Sequence, residues 1–230
     1  WATLPSRLRI PRRRWAGGRG GRCMMPAAAG SRSPSARRSA SAYRRVNAAG
    51  SSFLDVCASP GGKTTQIAAG ASGNGLIVAG DISEKRVDFL RTNCLSQGVS
   101  NVEIVRYNAE IELPFAHSVF DHVLVDAPCS GTGTIRHNPE IRYRLAPEDF
   151  AGLAARQMSI LGTASAVVAP GGKLIYSTCS LEIEENETVI ESFLAAEREF
   201  SLERPAVPDE LITEEGYART YPPRDNMDGF

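Results

Sequence analysis

The chain has 230 residues, which is enough for one larger domain or for one domain with a tail. Its 42% hydrophobic and 23% charged residues exclude a wholly disordered chain, and no apolar run approaches the ~20 residues that span a bilayer. The net charge of zero hides two unlike parts, because residues 1–50 carry 12 arginines and no acidic residue, whereas the rest of the chain has a net charge of −12.

The first fifty residues are predicted to be a disordered segment. Ala, Gly, Ser, Pro and Arg supply 38 of the 50 positions, and no hydrophobic periodicity is present. Three interpretations remain open: a nucleic-acid-binding arm, an organelle transit peptide, or sequence that is not native to the protein. The third is suggested by a chain that opens on Trp1 and by Met24-Met25, which resembles an internal start.

From residue 51 onward, short apolar runs alternate with segments of helical pattern. The predicted strands are 53–57, 76–81, 102–106, 122–126 and 173–178, and the predicted helices are 63–69, 83–97, 147–169 and 184–197. Ser83 is the predicted N-cap of the second helix, and Pro170-Gly171-Gly172 is predicted to end the third. This alternation predicts an α/β fold over 51–230, with a mostly parallel sheet and helices on both faces.

The candidate functional residues all lie where a predicted strand ends. They are Cys57 to Lys63 after the first strand, Asp81 at the end of the second, Asn108 after the third, Asp126 at the end of the fourth and Cys179 after the fifth. In a parallel sheet these ends meet at one edge, which is where ligands bind. The sequence therefore predicts one composite site.

The turn after the first strand has the features of a nucleoside site. Cys57-Ala58-Ser59-Pro60-Gly61-Gly62-Lys63 lacks the first glycine of a phosphate-binding loop and has no G-x-G-x-x-G pattern. It still predicts a tight turn at a helix N-terminus. Asp81 lies 19 residues beyond Gly62, about where a carboxylate bonds ribose hydroxyls. S-adenosylmethionine fits such a pocket.

The five cysteines argue against a disulfide framework and against a metal site. Their number is odd, no C-x-x-C pair occurs, and the three histidines lack the spacing of metal ligands. We therefore expect reduced thiols, no bound metal and a cytoplasmic protein.

Two of these cysteines form a candidate reactive pair. Asp126 and Cys129 stand at the mouth of the fourth strand, and Cys179 stands at the mouth of the fifth. If the two strands are neighbours, about 4.8 Å apart, both sulfur atoms can face one cavity. A thiolate that adds to C6 of cytosine activates C5 toward methylation, a second thiol can assist release, and Asp126 can bond the ring N3 and exocyclic amine.

These motifs resemble the RNA cytosine-C5 methyltransferases of the NOL1/NOP2/Sun class. The matching stretches are Leu54 to Thr65, Asp126 to Gly133, Arg136 to Arg142, and Ser177 to Ser180 with Glu185-Asn186 after it. The resemblance covers residues 51 to about 200 and is greatest to the bacterial small-subunit ribosomal RNA methyltransferase B (Sun/Fmu) branch. It implies a Rossmann-like fold that binds S-adenosylmethionine.

The resemblance also implies residue roles. Cys179 is the expected nucleophile and Cys129 the group that assists product release. The S-adenosylmethionine pocket is expected to be lined by Cys57, Ala58, Ser59, Pro60, Gly61, Gly62, Lys63, Asp81, Asn108 and Asp126. The family usually has aspartate where Asn108 stands, so weaker cofactor binding is expected. The chain ends at Asp228-Gly229-Phe230, inside a stretch that resembles a late family motif, so the last strand is expected to be missing.

The expected partner is RNA, ribosomal rather than transfer RNA, bound by a monomer with no membrane attachment. Arg136, His137, Arg142 and Arg144 follow Cys129 and can line a groove in an otherwise acidic domain. Two other function classes remain open. An amino-group methyltransferase is suggested by Asp126-Ala127-Pro128, although Cys129 replaces the aromatic residue of such loops, and a catalytically silent cofactor- or RNA-binding scaffold is suggested by Asn108.

Overall fold

The computed structural model describes residues 50–71 and 75–230. The strands of its sheet are β1 (Ser52–Asp55), β2 (Leu76–Asp81), β3 (Val102–Arg106), β4 (Phe120–Asp126) and β5 (Val168–Ser177). All pair in parallel, in the order β3-β2-β1-β4-β5. This confirms the predicted parallel α/β fold. The strand order reverses between β1 and β4, where open parallel sheets bind ligands.

Helices follow most strands. In the described ranges they are α1 (Gly62–Gly70), α2 (Glu84–Ser96), α3 (Ile141–Arg144), α4 (Asp149–Ser165), α5 (Glu187–Ala196) and α6 (Pro222–Asp225). Short 3-10 turns span Thr132–Thr134, Ile183–Glu185 and Asp209–Leu211. Ser83 caps α2 as predicted, since its hydroxyl oxygen accepts the Arg86 backbone N–H at 3.2 Å.

Successive strand residues point to opposite sides of the sheet, and both sides are buried. Leu54 of β1 belongs to a cluster completed by Ile160 and Leu161 of α4. Its neighbour Phe53 belongs to another cluster, with Ile67 of α1. All five side chains are at most 2% exposed. Each contributes roughly 1.5–3 kcal/mol by leaving water, and the two clusters hold helices to both faces.

The predicted helix over 147–169 is too long at both ends, and the prediction that Pro170-Gly171-Gly172 ends it is wrong. Helix α4 stops at Ser165, and β5 begins at Val168. The backbone N–H groups of Val119 and Phe120 both donate to the Val167 carbonyl at 3.0 Å, which draws this segment into the sheet. The register then shifts between Phe120 and His122, so Pro170-Gly171-Gly172 forms an irregularity within β5.

The predicted helix over 184–197 is divided in the structure. Residues Ile183–Glu185 form a 3-10 turn, and α5 begins only at Glu187. Asn186 breaks the helix because its side chain bonds backward: its Nδ2 group donates to the carbonyls of Ser180 at 3.1 Å and Glu182 at 2.8 Å. Glu185 is thereby placed inside the protein rather than on a helix surface.

The predicted disordered segment over 1–50 lies almost wholly outside the described residues, and the domain boundary near residue 51 stays a prediction. Among the residues described, no helix combines the length and the apolar character that crossing a membrane requires. After α5 the chain crosses the carboxyl edge of the sheet and brings Gly229 beside Gly133, where its N–H donates to the Gly133 carbonyl at 2.8 Å.

Gly80 of β2 is required by a close approach that a side chain would block. A Cβ there would lie 2.3 Å from a ring carbon of Tyr107 and 2.6 Å from the Val105 carbonyl oxygen. We expect Gly80→Ala to lower the free energy of unfolding by about 2 kcal/mol, because neither neighbour can retreat without moving the sheet.

The matched control is Gly162→Ala in α4, where a Cβ would meet nothing within 4 Å. This change is expected to raise the free energy of unfolding by about 0.5–1 kcal/mol, through helix propensity and the unfolded chain. Denaturant unfolding of both variants measures the difference, and equal effects would contradict the close approach at Gly80.

Candidate active site

A cavity of about 230 Å³ lies at the carboxyl edge of the sheet, where the sequence predicts the composite site. Seven predicted residues line it: Cys57, Ser59, Asp81, Asn108, Asp126, Cys129 and Cys179. The other predicted residues do not line this cavity, although they lie in the same turn or begin α1: Ala58, Pro60, Gly61, Gly62 and Lys63. The cavity spans the gap between β1 and β4 where the strand order reverses.

The turn between β1 and α1 is held by α2 behind it. Gly61 has φ +105°, and a Cβ there would lie 2.8 Å from a methyl carbon of Leu90. The Asn93 Nδ2 group donates to the Pro60 carbonyl at 2.7 Å. The first hydrogen bond of α1 runs from Thr65 N–H to the Gly61 carbonyl at 2.9 Å. The turn is therefore a rigid wall that ends in a helix N-terminus, which favours electron-rich ligand groups.

Asp81 presents a fixed carboxylate to the cavity. It is 4% exposed, and the backbone N–H groups of Ser59 and Ile82 donate to it at 3.2 and 2.8 Å. The Arg86 guanidinium lies 3.2 Å from the carboxylate and also donates to the Ser59 carbonyl at 3.2 Å. Arg86 thus ties the turn to Asp81. Sequence reasoning missed Arg86, whose one available signal is its place a single turn beyond the Ser83 cap.

Asn108 forms the opposite wall and shapes the chain after β3. Its Oδ1 accepts the Glu110 N–H at 3.0 Å, and its backbone carbonyl accepts those of Ile111 and Glu112 at 3.1 Å. Glu110 forms an ion pair with Arg156 of α4. Sequence reasoning also missed Arg156, which lines the cavity although it lies 48 residues beyond Asn108.

Asp126 has a partner on each carboxylate oxygen. Lys63 Nζ lies 2.7 Å from Oδ2, and the Ser177 hydroxyl donates to Oδ1 at 2.7 Å. The Lys63 ammonium also lies 4.8 Å from the centroid of the Phe230 ring. Lys63 therefore belongs to the site through Asp126, and it places a positive charge beside the thiols.

The two predicted reactive thiols meet. The Sγ atoms of Cys129 and Cys179 are 3.3 Å apart, and the Cys179 backbone N–H lies 3.3 Å from Cys129 Sγ. The hydrogen bond from the Cys129 thiol lowers the pKa of Cys179. The same bond, together with burial, raises the pKa of Cys129. The pair is therefore asymmetric: Cys129 holds its proton, and Cys179 is the one poised as a thiolate.

Two further titratable groups, the partly buried Cys57 and the fully buried Asp55, lie at the end of β1. Burial raises the pKa of the Cys57 thiol far above its ordinary range, and the carboxylates of Asp55 and Asp81 add to that effect. Complete burial also raises the pKa of Asp55 to about 7, although the Thr64 hydroxyl donates to its Oδ2 at 2.6 Å. Oδ1 of Asp55 is buried without a hydrogen-bond partner. Cys57 therefore lines the cavity as a neutral thiol.

A second cavity of about 580 Å³ adjoins Cys129. Cys129 and Arg156 border both cavities. The second cavity is also lined by Ser130, Ile141, Arg144, Leu145, Asp149, Gly152 and Leu153. Cys129 thus lies where two cavities meet, one lined by Asp81 and one lined by Arg144 of α3.

Metal binding finds no support in the geometry of 50–71 and 75–230. No group of three or more His, Cys, Asp or Glu side chains in these ranges could hold an ion. The four cysteines they contain are all free thiols.

Comparison with known proteins identifies the family to which this chain is similar. The profile of the family described as 16S rRNA methyltransferase RsmB/F matches residues 46–230. Ribosomal RNA small subunit methyltransferase F of Escherichia coli O9:H4 (strain HS) is 37% identical over 182 residues. That match covers 77% of this chain and 38% of the relative, so the chain spans well under half the length of that protein.

Solved structures agree with the family match. NSun6 from Pyrococcus horikoshii with SFG superposes with a TM-score of 0.74 at 27% identity, covering 86% of this chain and 50% of that one. A methyltransferase homolog protein from Pyrococcus horikoshii superposes with a TM-score of 0.63 at 31% identity, covering 84% and 63%. Both the predicted Rossmann-like methyltransferase fold and the predicted family resemblance are confirmed. The curated relative carries the name F rather than B, and the family profile includes both.

The raised pKa of Asp55 predicts a pH-dependent stability. A carboxyl whose pKa is higher when folded favours folding while it is protonated and loses that contribution as the pH rises toward about 7. Relative to wild type, Asp55→Asn is therefore expected to gain stability between pH 4 and 7, by up to about 1.4 kcal/mol per pH unit.

Urea unfolding at a series of pH values measures this trend. Asp121→Asn is the matched control, because hydrogen bonds from Ser52 lower the pKa of Asp121. The contribution of Asp121 is present at neutral pH and is lost only as the pH falls below about 4. A constant difference between wild type and Asp55→Asn from pH 4 to 7 would contradict the burial argument.

Proposed function

The chain belongs to the 16S rRNA methyltransferase RsmB/F family, and we propose that it methylates C5 of a cytosine in RNA through a covalent bond between Cys179 and C6. The observation that carries this proposal is the meeting of two sulfur atoms at 3.3 Å beside the Asp126 carboxylate. An amino-group methyltransferase has no use for a thiol pair, whereas C5 methylation needs a nucleophile and a second group for release.

The residues of the smaller cavity fit S-adenosylmethionine, which supplies an electrophilic methyl group on a sulfonium. Asp81 is a buried carboxylate whose geometry is fixed by three donors, so it can accept the two ribose hydroxyls without reorganising. The neutral thiol of Cys57 and the rigid turn place an uncharged surface against the ligand. Among the residues that line the cavity, Asp81 and Asp126 supply carboxylate oxygens that can face the sulfonium.

The chain's own residues supply the covalent step. The Cys179 thiolate adds to C6 of the cytosine, the C5–C6 double bond opens, and electron density moves toward C5 and N3. Asp126 faces this charge together with Lys63, whose ammonium lies 2.7 Å from it. The Lys63 ammonium can donate a hydrogen bond to N3, and the Asp126 carboxylate can accept one from the exocyclic amine of the ring. C5 of this adduct is nucleophilic and accepts the methyl group.

Cys129 is suited to the second half of the reaction. In the free protein its proton is held by the neighbouring Cys179 sulfur. Once Cys179 is bonded to carbon it no longer carries charge, so one cause of the raised pKa of Cys129 disappears. Cys129 can then release its proton to solvent, and the resulting thiolate accepts the proton from C5. The C6–sulfur bond breaks, the ring double bond re-forms, and the Cys179 thiolate is restored.

The larger cavity supports an RNA substrate, with ribosomal RNA favoured by the family. It opens beside Cys129, and its wall includes the guanidinium of Arg144, which forms no ion pair with any described residue. Arg136 and His137, by contrast, are already paired with Asp228. A cytosine must leave its stack to reach Cys179, so the adjoining backbone has to lie near this rim. We place the reaction in the cytoplasm, on a monomeric protein.

Substitution of the two thiols separates their roles. Cys179→Ala is expected to abolish methyl transfer, because no adduct can form. Cys129→Ala is expected to leave the adduct unresolved, so RNA stays covalently bound to the protein. Radiolabelled methyl transfer and denaturing gels of the protein–RNA mixture measure both outcomes.

Calorimetry with S-adenosylmethionine is the control for these variants, since a loss of cofactor binding would by itself stop methyl transfer. Methyl transfer at the normal rate by Cys179→Ala would exclude the covalent mechanism. Cofactor binding by wild type without any transfer to RNA would favour the silent scaffold.

The free guanidinium of Arg144 predicts a contact with RNA phosphate. We expect Arg144→Gln to raise the KM for RNA about tenfold, the value of one charge-assisted hydrogen bond, and to flatten the salt dependence of RNA binding. Arg142→Gln removes the same charge from the same short helix but at a position outside the cavity. Equal effects of the two changes, measured by kinetics at several salt concentrations, would indicate a general charge effect and contradict the contact.

A further inference from the structure

Glu185 is a buried carboxylate that joins the loops of the two thiols. It is 0% exposed, and its Oε1 accepts the Ser130 backbone N–H at 2.9 Å while its Oε2 accepts the Ser180 hydroxyl at 2.7 Å. Ser130 and Ser180 immediately follow Cys129 and Cys179. One carboxylate therefore holds both loops, each at the residue next to a sulfur atom.

Glu185 is itself anchored from below. Gln157 of α4 donates to Oε1 at 2.9 Å and to the Pro128 carbonyl at 3.0 Å. The Tyr176 hydroxyl of β5 donates to the Glu185 backbone carbonyl at 2.7 Å. The carboxylate is consequently fixed relative to the sheet as well as to the loops.

The bridge that Glu185 forms between Ser130 and Ser180 could be replaced by few other contacts. The Ser130 hydroxyl donates to the Ser180 oxygen at 3.1 Å, and that same oxygen accepts the Glu182 N–H at 3.1 Å. The Ser180 hydroxyl therefore donates its proton to Glu185, while its oxygen accepts hydrogen bonds from two donors. No basic side chain among the described residues pairs with Glu185, so hydrogen bonds alone compensate a fully buried charge. The desolvation cost of such a buried carboxylate indicates a position at which the arrangement of the neighbouring groups is important.

We propose that Glu185 is a positioning residue that holds the Cys129 and Cys179 loops at the separation at which their sulfur atoms meet. The inference rests on the proposed function only for the roles of the two thiols. Glu185 touches neither sulfur, and it acts through Ser130 and Ser180. If the loops separate, the hydrogen bond between the sulfurs is lost, and with it the main stabilisation of the Cys179 thiolate.

Glu185→Gln tests this proposal because the lost geometry and the lost charge would shift the pKa of Cys179 in opposite directions. The new amide group cannot accept the Ser180 proton at one of its two ends, and an N–H there would face an oxygen already filled by two donors. Loosened loops raise the pKa of Cys179, whereas the simple removal of a negative charge nearby would lower it. We expect the midpoint of Cys179 alkylation by iodoacetamide, followed against pH by mass spectrometry of each peptide, to rise by about one pH unit.

The matched control is Glu184→Gln, an exposed residue of the same 3-10 turn that removes the same charge. Its Cys179 midpoint should stay within about 0.2 units of wild type. In methyl-transfer assays, Glu185→Gln should lower kcat about 10- to 100-fold with little change in KM for RNA, because the misplaced groups act after binding. A role in stability alone would move the melting temperature and leave the alkylation profile unchanged.

Ser180→Ala gives an independent test that keeps the charge and does not depend on the folding of Glu185→Gln. It removes one arm of the bridge, so the midpoint should also rise, by less than in Glu185→Gln. An unchanged or lowered midpoint in the folded variants would overturn the proposal. The alkylation assay contains no RNA, so a wild-type protein that fails to methylate RNA would refute the proposed function while leaving this result intact.

Discussion

The parallel pairing of β4 with β5 is the constraint on which the active site depends. Asp126 stands opposite Ser177 in the register, and the Ala127 N–H continues the ladder to the Ser177 carbonyl at 2.8 Å. Both strands therefore end at the same height, one strand spacing apart. Cys129 and Cys179 lie three and two residues beyond that last pair, so short loops suffice to bring their sulfur atoms together. A shift of register by one residue would turn Asp126 away from Ser177 and separate the thiols.

The charges of the site follow from the burial of each acidic group together with the hydrogen-bond and cationic partners that it has. Asp55 is enclosed and its raised pKa reduces its charge, whereas Asp81 is equally hidden but keeps a guanidinium and two N–H donors. Asp126 is more exposed and is paired with Lys63. The thiol of Cys57 at the end of β1 is therefore neutral, whereas the reactive Cys179 lies near the ammonium of Lys63. The sulfur that must attack a base is the one whose pKa is lowered, by the hydrogen bond from Cys129 and by the positive charge of Lys63.

Much of this arrangement could be predicted because strand ends are read directly from apolar runs and the polar residues that close them. Asp81, Asp126 and Cys179 needed no more than that. The end of α4 could not be predicted, because Val167 and Val168 suit a helix or a strand and only their pairing with Phe120 decides between them. The burial of Glu185 could not be predicted for a related reason. It belongs to an acidic run in which every residue looks exposed, and the break at Asn186, a tertiary effect, determines which one turns inward.

Asn108 departs from the family's usual aspartate, and the structure shows what the exchange retains. The turn after β3 depends on an oxygen that accepts the Glu110 N–H, and an amide oxygen does this as well as a carboxylate. The wall around position 108 already carries the carboxylates of Asp81, Glu110 and Asp126, and each is paired with a cationic side chain from another element. A further carboxylate would have to be compensated in a small cavity, whereas the amide adds a donor for an electron-rich ring of a ligand. The shape of the pocket therefore survives the exchange, and what changes is one charge among several of the same sign.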